Sequence, residues 1–99
     1  DLYLKGEYKG AIALFGDDDI CYKGLSHLYL GDYDQAISLL GSDAVQSTRY
    51  ADQALWFKTL ALIKANRTDE ARKNLEIIAT DSDHYKSKKA RELLSSYED

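Results

Sequence analysis

The stretch GLSHLYLGDYDQAISLL (residues 24–40) decides how this 99-residue chain is organised. It reads as a helix, a one-residue break at Gly31, and a second helix that starts at once. The second half has an earlier copy: GEYKGAIALF (6–15) against GDYDQAISLL (31–40). Both carry a glycine, an acid, a tyrosine, then Ala-Ile, and end on a large apolar pair. A third echo is NRTDEARKNL (66–75), with Asn66 in the glycine place and Ala71 in the alanine place. Self-similarity of this kind fixes architecture before any local signal does.

Outward from that phrase the chain reads as helices throughout. Residues 1–5 look like the end of a helix, with more sequence expected upstream. Gly6 breaks it, and 7–15 set Tyr8, Ala11, Ile12, Leu14 and Phe15 on one stripe. Gly16 with Asp17, Asp18 and Asp19 closes that helix and opens the next, glycine suiting a C-terminal cap and aspartate a positive N-terminal end. The three acids lack the alternation and distal glutamate of a calcium loop. The helix over 18–30 is apolar nearly all round and is expected to be covered on more than one side. Gly24 in its middle costs about 1 kcal/mol against alanine, so a close approach by a neighbour is the expected reason for it.

Asp32 with Gln35 has the spacing of a capping box for a helix Tyr33–Leu40. A polar loop over 41–48 follows, then the strongest helix, 49–65, with Trp56-Phe57 as its bulkiest apolar pair. Asn66 ends it and Thr68 is expected to cap a helix over 69–79. Asn66-Arg67-Thr68 is formally a glycosylation sequon and is read as coincidence in a tight turn. Ser82 or Asp83 is expected to cap a final helix reaching Tyr97 that buries Tyr85, Ala90, Leu93, Leu94 and Tyr97.

Composition bounds the function. No run approaches the roughly 18 apolar residues of a membrane span, and no signal-peptide pattern opens the chain. A single cysteine excludes an internal disulfide and leaves the compartment open. Net charge is −4; residues 1–50 hold eight acids and four bases, and 51–99 hold nine of each. That is no basic stripe for nucleic acid, and Lys86, Lys88, Lys89 and Arg91 read as the solvated face of the last helix. His27 and His84 are distant in sequence, and no Cys/His/Asp/Glu set has metal-ligand spacing, so neither a metal nor another cofactor is expected. Asp32/Asp34 and Asp69/Glu70 sit at helix starts, where capping accounts for them. No nucleophile–base, carboxylate-pair or phosphate-loop signature is present, so the expected protein is not an enzyme.

Gly24, His27 and then Gly31-Asp32-Tyr33-Asp34-Gln35-Ala36 through Leu40 resemble the tetratricopeptide repeat. Residues 6–15 match the second half of one repeat. Residues 55–78 match a divergent one, with Trp56 one place late, Thr59 for the small residue and Asn66 for the turn glycine. Two departures stand out: Gly31 to Asn66 is 35 residues against a period of about 34, and Gly6 to Gly31 is only 25. The first helix of the second kind is therefore expected to stop near Phe15. The resemblance implies an all-α fold, an α-solenoid of antiparallel helix pairs with about five full helices, a truncated N-terminal one and a C-terminal capping helix. As one domain it would divide into a partial repeat (1–16), a repeat (17–47), a divergent repeat (48–81) and the capping helix (82–99).

Such arrays bind an extended peptide or a helix on the concave side lined by the first helix of each pair. The resemblance places Asp18, Cys21, Tyr22, Leu25 and Tyr29 there from one helix, and Gln53, Trp56, Phe57, Leu60 and Lys64 from the other. Family members that grip a C-terminal carboxylate use lysines, arginines and asparagines in those places; the aromatic and aliphatic residues here do not support that role. An apolar segment of a partner protein, or a second copy of this chain, fits them better, with no nucleic acid and no membrane contact by the domain itself. The same residues alternatively pack against the next helix. Two other classes stay in view: a structural or self-associating segment of a longer array, and an accessory or sensor domain with a small-ligand pocket between helices.

Overall fold

The computed structural model describes residues 19–42 and 50–97. The expected helix end over 1–5, the helix over 7–15 with its cap at 16–18, the partial repeat 1–16 and the loop over 43–48 lie outside them. The described residues form helices and no strands: α1 (Asp19–Leu30), α2 (Tyr33–Leu40), α3 (Ala51–Lys64), α4 (Thr68–Thr80) and α5 (Ser87–Tyr97). Each packs against its neighbours in the chain, and α1 also touches α3.

The apolar spacing accounts for these contacts. In α2, Ala36 and Leu40 are buried and Tyr33 and Ile37 pack against them, an i, i+3, i+4, i+7 stripe. In α4 the buried places are Ala71, Leu75 and Ile78, and the rest of the helix is largely polar and exposed. α3 differs from both. It buries Ala54, Trp56, Phe57, Thr59, Leu60, Ala61 and Leu62, and of its residues only Asp52 and Lys64 are exposed. With α1, α2 and α4 around it, this helix is the centre of the core.

α1 is less enclosed than its composition suggests. Cys21, Leu25 and Leu28 face the core at i, i+4 and i+7, while Tyr22, Tyr29 and Leu30 are exposed. The burial is on one side, so the expected cover on further sides is not what these residues show.

Two turns join α1 to α2 and α3 to α4, and they follow the same backbone course 35 residues apart. Gly31 sits at φ 87°; its N–H bonds the Leu28 carbonyl at 3.1 Å, and the Asp32 N–H bonds the His27 carbonyl at 2.8 Å. Asn66 sits at φ 61°; its N–H bonds the Ile63 carbonyl at 3.1 Å, and the Arg67 N–H bonds the Leu62 carbonyl at 2.9 Å. Both are Schellman closures, in which a left-handed residue lets two N–H groups satisfy the helix's last carbonyls. Each hands the chain directly to the next helix through a residue of similar torsions, Asp32 at −90°, 74° and Arg67 at −92°, 67°.

Those torsions correct the expected caps. Neither Asp32 nor Arg67 makes a side-chain cap, and Thr68 is the first residue of α4 rather than the residue before it. Side-chain capping works from extended torsions, which the tight turn does not provide. The Asp32 carboxylate meets His27 Nδ1 at 3.2 Å instead. The last helix is corrected as well: it begins at Ser87, and residues 81–86 form successive turns. The Asp83 N–H bonds the Asp81 carboxylate at 3.1 Å, and His84 and Ser87 donate to the carbonyls of Asp81 and His84 at 3.0 and 3.1 Å. An aspartate that captures the backbone two residues on competes with a helix at the same place. Tyr85, expected inside, is exposed.

Gly24 has the close approach its position suggests. A Cβ there would stand 2.7 Å from Leu40 Cγ and 2.8 Å from Leu40 Cδ2, and Leu40 is fully buried. Thr59, 35 residues on, is also fully buried, and its hydroxyl bonds the Leu55 carbonyl at 2.7 Å.

Two outcomes are expected in urea unfolding. Gly24→Ala should destabilise the fold by about 1 kcal/mol or more, although helix propensity alone predicts a gain of about that size; a net gain would show that Leu40 has room to move. Asn66→Gly should hold or raise stability and Asn66→Ala lower it by about 1 kcal/mol, because alanine resists the left-handed region.

Candidate functional site

The ten residues expected to line a groove separate, apart from Asp18, into two groups. Leu25, Trp56, Phe57 and Leu60 belong to the buried core. Tyr22, Tyr29 and Lys64 are exposed, and Gln53 is half-buried. Cys21 joins the core group, and Asp18 lies outside the described residues. Trp56 is 0% exposed while Tyr22 and Tyr29 are 44% and 45% exposed. The surface that α1 offers is therefore a pair of tyrosines seven residues apart, on one face by helical geometry.

Tyr22 and Phe57 stand 35 residues apart in sequence, yet Phe57 is buried and Tyr22 is not. α3 has helices before and after it that close over its face, whereas the described contacts of α1 are with α2 and α3 alone.

Trp56 and Gln53, one turn apart on α3, carry shielded polar atoms, Trp56 Nε1 and Gln53 Oε1, with no hydrogen-bond partner. A shielded orphan donor costs about 1–3 kcal/mol. The Lys86 ammonium stands 5.5 Å from the centre of the Trp56 ring, close enough for a cation–π attraction.

Several charged residues pair locally. Arg67 bonds the Glu70 carboxylate through Nε and Nη2 at 3.1 and 2.9 Å, and Nη1 reaches Asp34 at 3.7 Å. These groups are exposed and such pairs contribute little to stability. A concavity of about 310 Å³ lined by Asn66, Arg67, Thr68, Asp69 and Glu70 lies on this turn, its lone cation already engaged by acids. The basic run of α5 also divides. Arg91 Nη1 donates to the Ala79 carbonyl at 3.1 Å near the end of α4, Lys89 pairs with Glu92 at 3.7 Å, and Lys88 is exposed.

The residue that sequence reasoning passed over is His84, buried on the α4–α5 turn and bonded to the Asp52 carbonyl of α3 at 2.9 Å. The signal was available only in part: a histidine in an acid-rich stretch, with nothing in its own neighbourhood to name a partner 32 residues away. Among the described residues no group of three or more His, Cys, Asp or Glu gathers as metal ligands, and no helix is long and apolar enough to cross a membrane.

Comparison of the chain with family models, with curated proteins and with solved structures found no match.

The division between core and surface has a direct check. Leu25→Ala should cost about 2–5 kcal/mol in chemical unfolding, the range for emptying a buried leucine site. Tyr22→Ala should change stability by about 0.5 kcal/mol or less. Comparable losses for the two would place Tyr22 in the core.

Proposed function

We propose that this chain is a short tetratricopeptide-like array, an α-solenoid of helix pairs, serving as a non-catalytic module that holds a peptide or helix of a partner protein. The repeat reading is supported by the two turns at Gly31 and Asn66, whose torsions and hydrogen bonds coincide 35 residues apart. The observation that carries the binding role is the exposed pair Tyr22 and Tyr29 on α1. Tyrosine offers a large amphipathic surface at low entropic cost, which suits a contact that must form and release. A partner on this face would meet Tyr22 and Tyr29 first, with Gln53 and Lys64 as polar neighbours drawn from α3. Trp56 and Phe57 would act beneath it by holding α1 in place.

The experiment is selection from a displayed random-peptide library on the folded chain, repeated on the double variant Tyr22→Ala/Tyr29→Ala. The expected result is recovery of apolar-rich peptides that lose at least about tenfold in affinity on the double variant, a loss of about 1.4 kcal/mol, while its melting temperature is unchanged. Peptides that bind both proteins equally would remove Tyr22 and Tyr29 from the site. Sedimentation equilibrium separates the alternative in which a second copy of this chain is the partner: that version requires a mass that rises with concentration and returns to the monomer value in the same double variant.

A further inference from the structure

The turn between α3 and α4 uses an asparagine where its twin between α1 and α2 uses a glycine. Gly31 and Asn66 sit at φ 87° and 61°, and backbone bonds alone close both turns. Glycine reaches that backbone without steric cost, so the turn itself asks for no side chain. The Asn66 side chain is exposed, and no hydrogen bond of the fold engages its amide. Thr68 repeats the pattern: it is the exposed first residue of α4, and its hydroxyl caps nothing. Arg67 between them is different. Its guanidinium bonds the Glu70 carboxylate at 2.9 and 3.1 Å and reaches Asp34 at 3.7 Å. The fold therefore uses the middle side chain of Asn66-Arg67-Thr68 and neither of the two that define a glycosylation sequon.

We propose that Asn66 is an acceptor for an N-linked glycan. The co-reactant is an oligosaccharide carried on a polyprenyl diphosphate, and a membrane-bound transferase brings the two together. The Asn66 amide nitrogen forms a bond to the anomeric carbon, and the bond from that carbon to the diphosphate oxygen breaks. The lipid diphosphate leaves with the electron pair, the amide gives up one proton, and nothing is oxidised or reduced. Thr68 supplies the hydroxyl read two residues after the acceptor, and the residue between them is not proline. The product suits the folded turn, because both of its closing bonds are made by backbone groups that the reaction leaves untouched. The first sugar would sit at the concavity of about 310 Å³ beside Asn66, where the exposed carboxylates of Asp69 and Glu70 offer acceptors to its hydroxyls. No residue lining that space belongs to the buried core, so a bulky polar group there displaces solvent alone. The other asparagine of the chain, Asn74, is half-buried and is followed by Leu75 and Glu76, so a single glycan is expected.

The test expresses the full chain behind a cleavable secretion signal in cells that make N-linked glycans. All product, retained and secreted, is read by intact mass and by peptide mapping after peptide-N-glycosidase treatment. The expected result is one glycan on most molecules, with aspartate left at position 66 once the sugar is removed. Asn66→Gly, which keeps the turn, and Thr68→Ala, which keeps the asparagine, should each abolish the modification. Thr68→Ser should retain it at lower occupancy. The glycosylated chain should match the helix content and melting temperature of the same chain made without the signal. Wild-type chain left bare while a reference glycoprotein in the same cells is modified would overturn the proposal. So would sugar on another residue, modification that survives Thr68→Ala, or a glycosylated form that has lost its helices.

Discussion

A single left-handed residue between two helices is the constraint on which the rest of this structure depends. An α-helix leaves its last carbonyls unpaired, and the chain must either solvate them or turn back upon them. At Gly31 and again at Asn66 it turns back, and two bonds per turn close the helix end within two residues. Because the linker is that short, the second helix has little choice of where to lie. Its alanine, Ala36 or Ala71, is brought inside at the same step, and both are fully buried. The small side chain lets the helices approach closely. Leu40 and Leu75 then reach the core one turn further on.

Where the decisive interaction was local, it could be read in advance. Gly31, the alanines that follow each turn, the leucines four residues later and the tight place at Gly24 all appear as pattern before any coordinates. Asn66 could be assigned to the glycine role because asparagine is the other residue that tolerates a left-handed backbone. The capping box failed for a reason invisible in the residue types: Asp32 has the right side chain but the wrong torsions, and its carboxylate serves His27 instead. The start of the last helix failed because Ser82 and Asp83 are good capping residues, while the Asp81 carboxylate takes the Asp83 N–H and the His84 ring is bonded to the Asp52 carbonyl of α3.

The candidate surface was half legible for a related reason. Helical periodicity tells which residues share a face, and it expects Leu25 beside Tyr22 and Tyr29, of which Leu25 is buried and the two tyrosines are exposed. It does not tell how far neighbouring elements close over that face. Phe57 and Tyr22 stand 35 residues apart on helices α3 and α1, and among the described residues α3 has more helices packed around it than α1, which leaves one ring buried and the other exposed. Depth is a property of the assembly of helices.

The bond between His84 and Asp52 bears on the order in which the chain folds. Most contacts here join helices adjacent in sequence, and loops of two and three residues cost little entropy to close, so the pairs α1–α2 and α3–α4 are expected to form early. The His84–Asp52 bond spans 32 residues and gains nothing until α3 and α4 are already in place. It is therefore expected to arrive last, after α4 has fixed the position of the turn. A nascent chain would hold a formed α1–α4 unit while its final segment is still undocked, and that segment closes the fold when α5 packs on α4 and the imidazole meets its carbonyl.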